Sequence, residues 1–81
     1  MEAALLRLQK AFGEAIPLSS GVDYEQLAYG KTAGWDSVAH MTLINHIEEA
    51  FDLMLDTDDV IGLSSFPKAK EILGKRGIVF A

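Results

Sequence analysis

Asp36-Ser37-Val38-Ala39-His40-Met41-Thr42-Leu43-Ile44-Asn45-His46-Ile47-Glu48-Glu49-Ala50-Phe51-Asp52 decides how this chain folds. From Ser37 onward, at about 100° per residue, Leu43, Ile44, Ile47, Ala50 and Phe51 fall on one stripe, the pattern of a helix with one face in a core. Val38, Met41, Thr42, Asn45, Glu48, Glu49 and Asp52 collect on the opposite side. Asp36 stands just before the run, where its carboxylate can accept the free amide hydrogens of the first turn; it is the expected N-cap. Ser37 follows directly, at the mouth of the helix. A helix N-terminus presents unpaired amides and the positive end of the dipole, surroundings that favour a phosphate, while Asp36-Ser37 equally reads as a plain capping pair.

Upstream, Glu2 to Ile16 reads as another helix, with Leu5, Leu8, Phe12 and Ile16 at three- and four-residue steps and Ala15 beside them. Pro17 stops it, because the residue before a proline is pushed out of helical conformation. Residues 17–35 are a long connection punctuated by Ser19, Ser20, Gly21, Gly30 and Gly34. Its apolar residues Leu18, Val22, Tyr24, Leu27, Tyr29 and Trp35 are expected to pin it down, with a helical turn near Tyr24–Leu27. Downstream, Asp56-Thr57-Asp58-Asp59 favours the start of a short helix through Val60, Ile61 and Leu63, limited by Gly62. The last helix is expected from Ser64 or Ser65, with Pro67 in its first turn and Phe66, Ala69, Ile72 and Leu73 as its stripe. Lys75 and Arg76 suit its negative end, Gly74 and Gly77 mark the stop, and Ile78-Val79-Phe80 can fold back on the bundle.

The 81 residues have room for one domain and one core, and 49% hydrophobic with 23% charged residues is the mix of a globular domain. With no Cys, disulfide scaffolds, thiolate zinc sites and Cys nucleophiles are excluded. No apolar run approaches the roughly 20 residues of a membrane span, and no secretory signal is visible; a cytoplasmic location is expected, and separately a monomer. The net charge of −5 is concentrated: Asp36, Glu48, Glu49, Asp52, Asp56, Asp58 and Asp59 lie in residues 32–67, which hold no Lys or Arg. Such a block repels nucleic acid and attracts basic protein surfaces.

Several strings mimic catalytic or metal motifs and fail on spacing. Gly30-Lys31-Thr32 matches the end of a P-loop, but the first glycine of that motif falls on Glu25. A calcium loop begun at Asp56 puts Ile61 at the invariant glycine and Pro67 at the last ligand. His40 and His46, six residues apart, face different ways, so no metal site is expected. His40 reads as an interfacial histidine tied to a backbone group. Ser37 lacks the flanking glycines of a hydrolase elbow and has no second catalytic group nearby. The chain is read as a non-enzyme.

The stretch Gly34-Trp35-Asp36-Ser37-Val38-Ala39-His40-Met41-Thr42-Leu43-Ile44 resembles the Asp-Ser-Leu attachment motif of acyl carrier proteins. Ile47-Glu48-Glu49-Ala50-Phe51-Asp52 is similar to the hydrophobe-Glu-Glu-x-Phe ending of that family's second helix. Leu63-Ser64-Ser65-Phe66 through Ile72-Leu73 fits its last helix, and the match spans nearly the whole chain. The resemblance implies an all-α fold, a small antiparallel bundle of three main helices and one short one. It implies that Ser37 receives 4'-phosphopantetheine from coenzyme A through a phosphodiester, and that the thiol of this arm carries acyl groups as thioesters. A thioester carrier without Cys must import its thiol.

The partners it implies are a phosphopantetheinyl transferase, an acyl-loading ligase or acyltransferase, and downstream synthase or transferase enzymes with basic docking surfaces. Asp36, Val38, Met41, Glu48, Glu49 and Asp52 are the expected docking residues. Val38 stands where leucine is most usual, and Ala39, Thr42 and Asn45 stand where fatty-acid carriers often place acids. That departure points to a dedicated carrier in a polyketide-like or glycoconjugate route, with fatty-acid-related work also open. An initial Met and the length suggest a freestanding protein. The alternatives are an aminoacyl or peptidyl carrier, and a cofactor-free helical interaction module.

Overall fold

Phe12, Trp35 and Phe66 meet in the core and join three segments distant in sequence. The Phe12 ring lies edge-on to Trp35, with centroids 5.4 Å apart, and to Phe66 at 4.9 Å. All three are buried. Such edge-to-face pairs add about 0.5–1.5 kcal/mol each beyond the area they bury. The computed structural model describes residues 3–18 and 21–80. Helix α1 spans Ala3–Ala15, α2 Ser37–Phe51, α3 Thr57–Gly62 and α4 Phe66–Lys75, with a 3-10 turn at Tyr24–Gln26. The fold is a small all-helical bundle. The one strand-like contact among the described residues is the bridge between Ala28 and Ser65.

Each helix starts and stops for a local reason. Asp36, Asp56 and Ser65 cap α2, α3 and α4, accepting the amides of Ala39, Asp59 and Lys68 at 2.9, 2.9 and 3.1 Å. Caps of this kind are worth about 1 kcal/mol each. α2 ends with Asp52 in the left-handed region, φ 51°. Past Lys75, Ile78 N–H donates to Leu73 O and Gly77 N–H to Gly74 O, at 3.1 Å each, the paired bonds of a Schellman end with Gly77 at φ 93°.

The expected element order holds, with local corrections. Gly74 does not stop α4; it lies inside the helix, and Gly77 alone makes the left-handed turn. On α1 the buried face is Leu8, Ala11 and Phe12, with Ile16 just beyond it; Leu5 and Ala15 are half-buried. Ala11 joins this face although alanine carries little periodic signal. On α2, Leu43, Ile44, Ile47 and Phe51 are buried and Ala50 half-buried. The tail folds back as expected: Ile78 and Phe80 pack on the core, and the Phe80 ring reaches Phe51 at 6.2 Å. The expected α1 start at Glu2, and Ser19 and Ser20, lie outside the described residues.

α1 packs chiefly on α2, and the long connection is held against α4. Leu27 and Trp35 are buried within it, while Tyr29, expected as an anchor, is exposed. Tyr29 N–H donates to Ser64 O at 2.9 Å, and Lys70 Nζ reaches Glu25 Oε2 at 2.8 Å. These ties fix the approach of the chain to Ser37.

Candidate functional site

The site is built by residues 28–37. The Thr32 hydroxyl accepts the Ala28 amide at 2.9 Å, Trp35 N–H donates to Thr32 O at 3.1 Å, and Gly30 N–H to Trp35 O at 3.3 Å. Gly30 and Gly34 take φ values of 79° and 86°, which a residue with a Cβ adopts only with strain. The closed loop inserts Trp35 into the core and leaves Asp36 and Ser37 exposed. His40 N–H to Asp36 O, 2.8 Å, is the first helical bond of α2. In the first turn the Ser37 amide has no intrahelical acceptor. Ser37 thus offers a hydroxyl in the open, on a rigid helix start, at the positive end of a dipole. An open groove of about 540 Å³ runs along the next part of the acidic surface, past Asn45, Glu49 and Met54. A second, of about 520 Å³, leads from Tyr29 past Lys31 and Gly34 to Ser37.

Beside Ser37 the exposed face of α2 carries Val38 and Met41, 75% and 54% accessible. Glu49 and Asp52 are exposed farther along. Glu48 is different. It is half-buried, and its Oε2 accepts the Leu55 amide at 2.9 Å, tethering the chain that leaves α2. Thr42 is half-buried too, its hydroxyl donating to Val38 O at 3.2 Å. The structure therefore brings Asp36, Ser37, Val38 and Met41 together at one end of the face and gives Glu48 a structural duty at the other.

Three residues near this surface have no functional role in the sequence reading. Met54 and Ile61 are each 74% accessible, and Tyr29 lies between the Ser37 groove and an apolar pocket of about 260 Å³ lined by Tyr29, His40, Val60, Ile61, Leu63 and Ser64. Met54 was findable, since Leu53-Met54-Leu55 alternates about an extended strip. Ile61 was not, because a six-residue helix is too short to define a face.

No protein-family model matches this chain, and neither a curated protein nor a solved structure matches it.

His40 is tied to a backbone group, Val60 O, at 2.8 Å, and also takes a bond from the Trp35 indole at 3.0 Å. His46 sits elsewhere, its Nδ1 3.5 Å from Glu14 on α1. Asp59 and Asp56 both face Arg76, the latter at 3.5 Å. The hydrogen bond from Arg76 holds the Asp59 carboxyl below its ordinary range and raises the guanidinium in return. These acids bind α3 to the end of α4. Among the described residues, no group of three or more His, Asp or Glu is placed to hold a metal ion. No described helix is long and apolar enough to cross a membrane.

Proposed function

We propose that this protein is a carrier that holds acyl groups as thioesters on a 4'-phosphopantetheine arm attached to Ser37, and presents them to partner enzymes without catalysing a reaction itself. The observation that carries this reading is the exposed Ser37 hydroxyl at the capped start of α2, held by a loop that spends two left-handed glycines and a buried tryptophan on placing it. A transferase must bring the phosphorus of coenzyme A to this oxygen, and an unobstructed hydroxyl beside a helix N-terminus suits the incoming negative charge. The resemblance of residues 34–52 to the acyl-carrier attachment motif supports the same chemistry. Val38 and Met41 beside the attachment point form an apolar anchor, and Glu49 and Asp52 supply negative charge that steers basic enzyme surfaces. Loading enzymes would be a ligase or acyltransferase; the consumer would be a synthase or transferase of a specialised or fatty-acid-related acyl pathway.

Incubation with coenzyme A and a broad-specificity phosphopantetheinyl transferase tests the reading by intact mass. The exposed Val38, Met41 and Met54 beside acids also favour a second reading, a cofactor-free interaction module that docks on a basic partner. That module would take up no arm.

A further inference from the structure

We infer that His40 is a proton-sensitive latch that holds α3 closed over the apolar pocket, so that acidification releases α3. Trp35 Nε1–H donates to His40 Nδ1 at 3.0 Å, and His40 Nε2 lies 2.8 Å from Val60 O. An indole nitrogen can only donate, so Nδ1 must carry its lone pair. A carbonyl can only accept, so Nε2 must carry the proton. Only the neutral imidazole satisfies both neighbours. A second proton on Nδ1 sets one N–H against another and strips the indole of its acceptor. Trp35 is 1% exposed, so no water replaces that acceptor without movement. The relief is for the charged ring to turn out through the pocket it lines, which removes the tie to Val60.

α3 is the element able to respond. It has six residues, none of them buried, and a helix this short is not stable on its own. Beyond the packing of half-buried Val60 on the core, its described polar ties are the His40 bond to Val60 and the Arg76 contacts with Asp59 and the capping Asp56. The titratable neighbours of the His40 ring are Tyr29, Asp36 and Asp59. Tyr29, with its ring centroid 5.1 Å away, is the titratable group of the connecting loop against it. Asp36, one turn earlier, is committed to the Ala39 amide, and Asp59 beside Val60 faces Arg76 just past α4. Release of α3 widens the pocket lined by Val60, Ile61 and Leu63. The latch requires nothing attached to Ser37.

An NMR titration of the unmodified protein from about pH 8 to about pH 5, the interval in which histidine ordinarily changes charge, tests this. The Trp35 indole N–H, the His40 ring nitrogens and the α3 amides of Asp58, Val60 and Ile61 are expected to shift with one midpoint. Hydrogen-exchange protection of α3 should fall about tenfold, the equivalent of one net hydrogen bond. His40→Gln should abolish the α3 response. His46→Gln, which alters the other histidine, and Asp59→Asn, which removes the carboxylate tie, should both retain it. The latch is overturned if α3 stays fixed while the His40 ring titrates, if α3 still responds in His40→Gln, or if Asp59→Asn alone removes the response. Should His40→Gln fail to fold, the wild-type comparison of ring and α3 midpoints decides alone.

Discussion

A Cβ on Gly34 would lie 2.7 Å from both Cδ and Cγ of Pro17. The residue that ends α1 thus touches the backbone of the loop that delivers Ser37, at a point where φ is already 86°. Two costs fall on any side chain there: left-handed strain and collision with a ring fixed to the main chain.

Gly34→Ala is therefore expected to destabilise the protein by about 2–4 kcal/mol, combining overpacking with backbone strain. Gly13→Ala is the contrast, since a Cβ there meets nothing within 4 Å and the residue is helical. It should stabilise by up to about 1 kcal/mol. Urea denaturation of both variants measures the difference.

Glu48 and Glu49 are neighbours in sequence with different work to do. Glu48→Lys removes the acceptor of the Leu55 amide and should cost about 1–3 kcal/mol, whereas Glu49→Lys should stay within about 0.5 kcal/mol of wild type. Glu49→Lys is consequently the clean probe of docking. Transfer from the loaded carrier to a basic partner enzyme should slow at low salt and recover at high salt, because exposed charge acts mainly on encounter. Equal rates in both salts would move the docking face away from this end of α2.

Much of this was legible in the sequence because it rests on local rules. Asp36, Pro17 and Ser65 mark helix boundaries through capping and steric effects that need no tertiary information, and the α2 stripe follows from period alone. The double role of His40 was only half legible: a backbone tie could be expected, but its indole bond depends on how the 28–36 loop folds. Glu48 read as surface because periodicity sees faces and not the path of the chain beyond Asp52. Gly74 misled because a glycine looks the same inside a helix as at its end; φ distinguishes them.

The Asp59–Arg76 pair contributes to the acid limb of stability. Arg76 holds the Asp59 carboxyl below its ordinary value of 3.8 in the folded state, so the unfolded chain binds that proton more readily. Stability from this pair is full above pH 3.8 and is lost as pH falls through the lower folded value. Asp59→Asn should flatten the decline of stability below about pH 4 relative to wild type. Denaturation midpoints measured from about pH 2.5 to about pH 6 check the slope; parallel curves would mean that the pair adds nothing.

Ser37 carries the central claim, and Ser37→Ala should leave the fold intact because the residue is exposed and Asp36 supplies the cap. The most direct measurement is intact mass of wild type and Ser37→Ala side by side, after incubation with coenzyme A and a phosphopantetheinyl transferase, with circular dichroism confirming that both are folded. Wild type should gain the mass of one phosphopantetheinyl group and Ser37→Ala none. A folded wild-type protein that gains no mass, or a Ser37→Ala variant that gains as much, would contradict the assignment of Ser37 as the attachment point of a carrier.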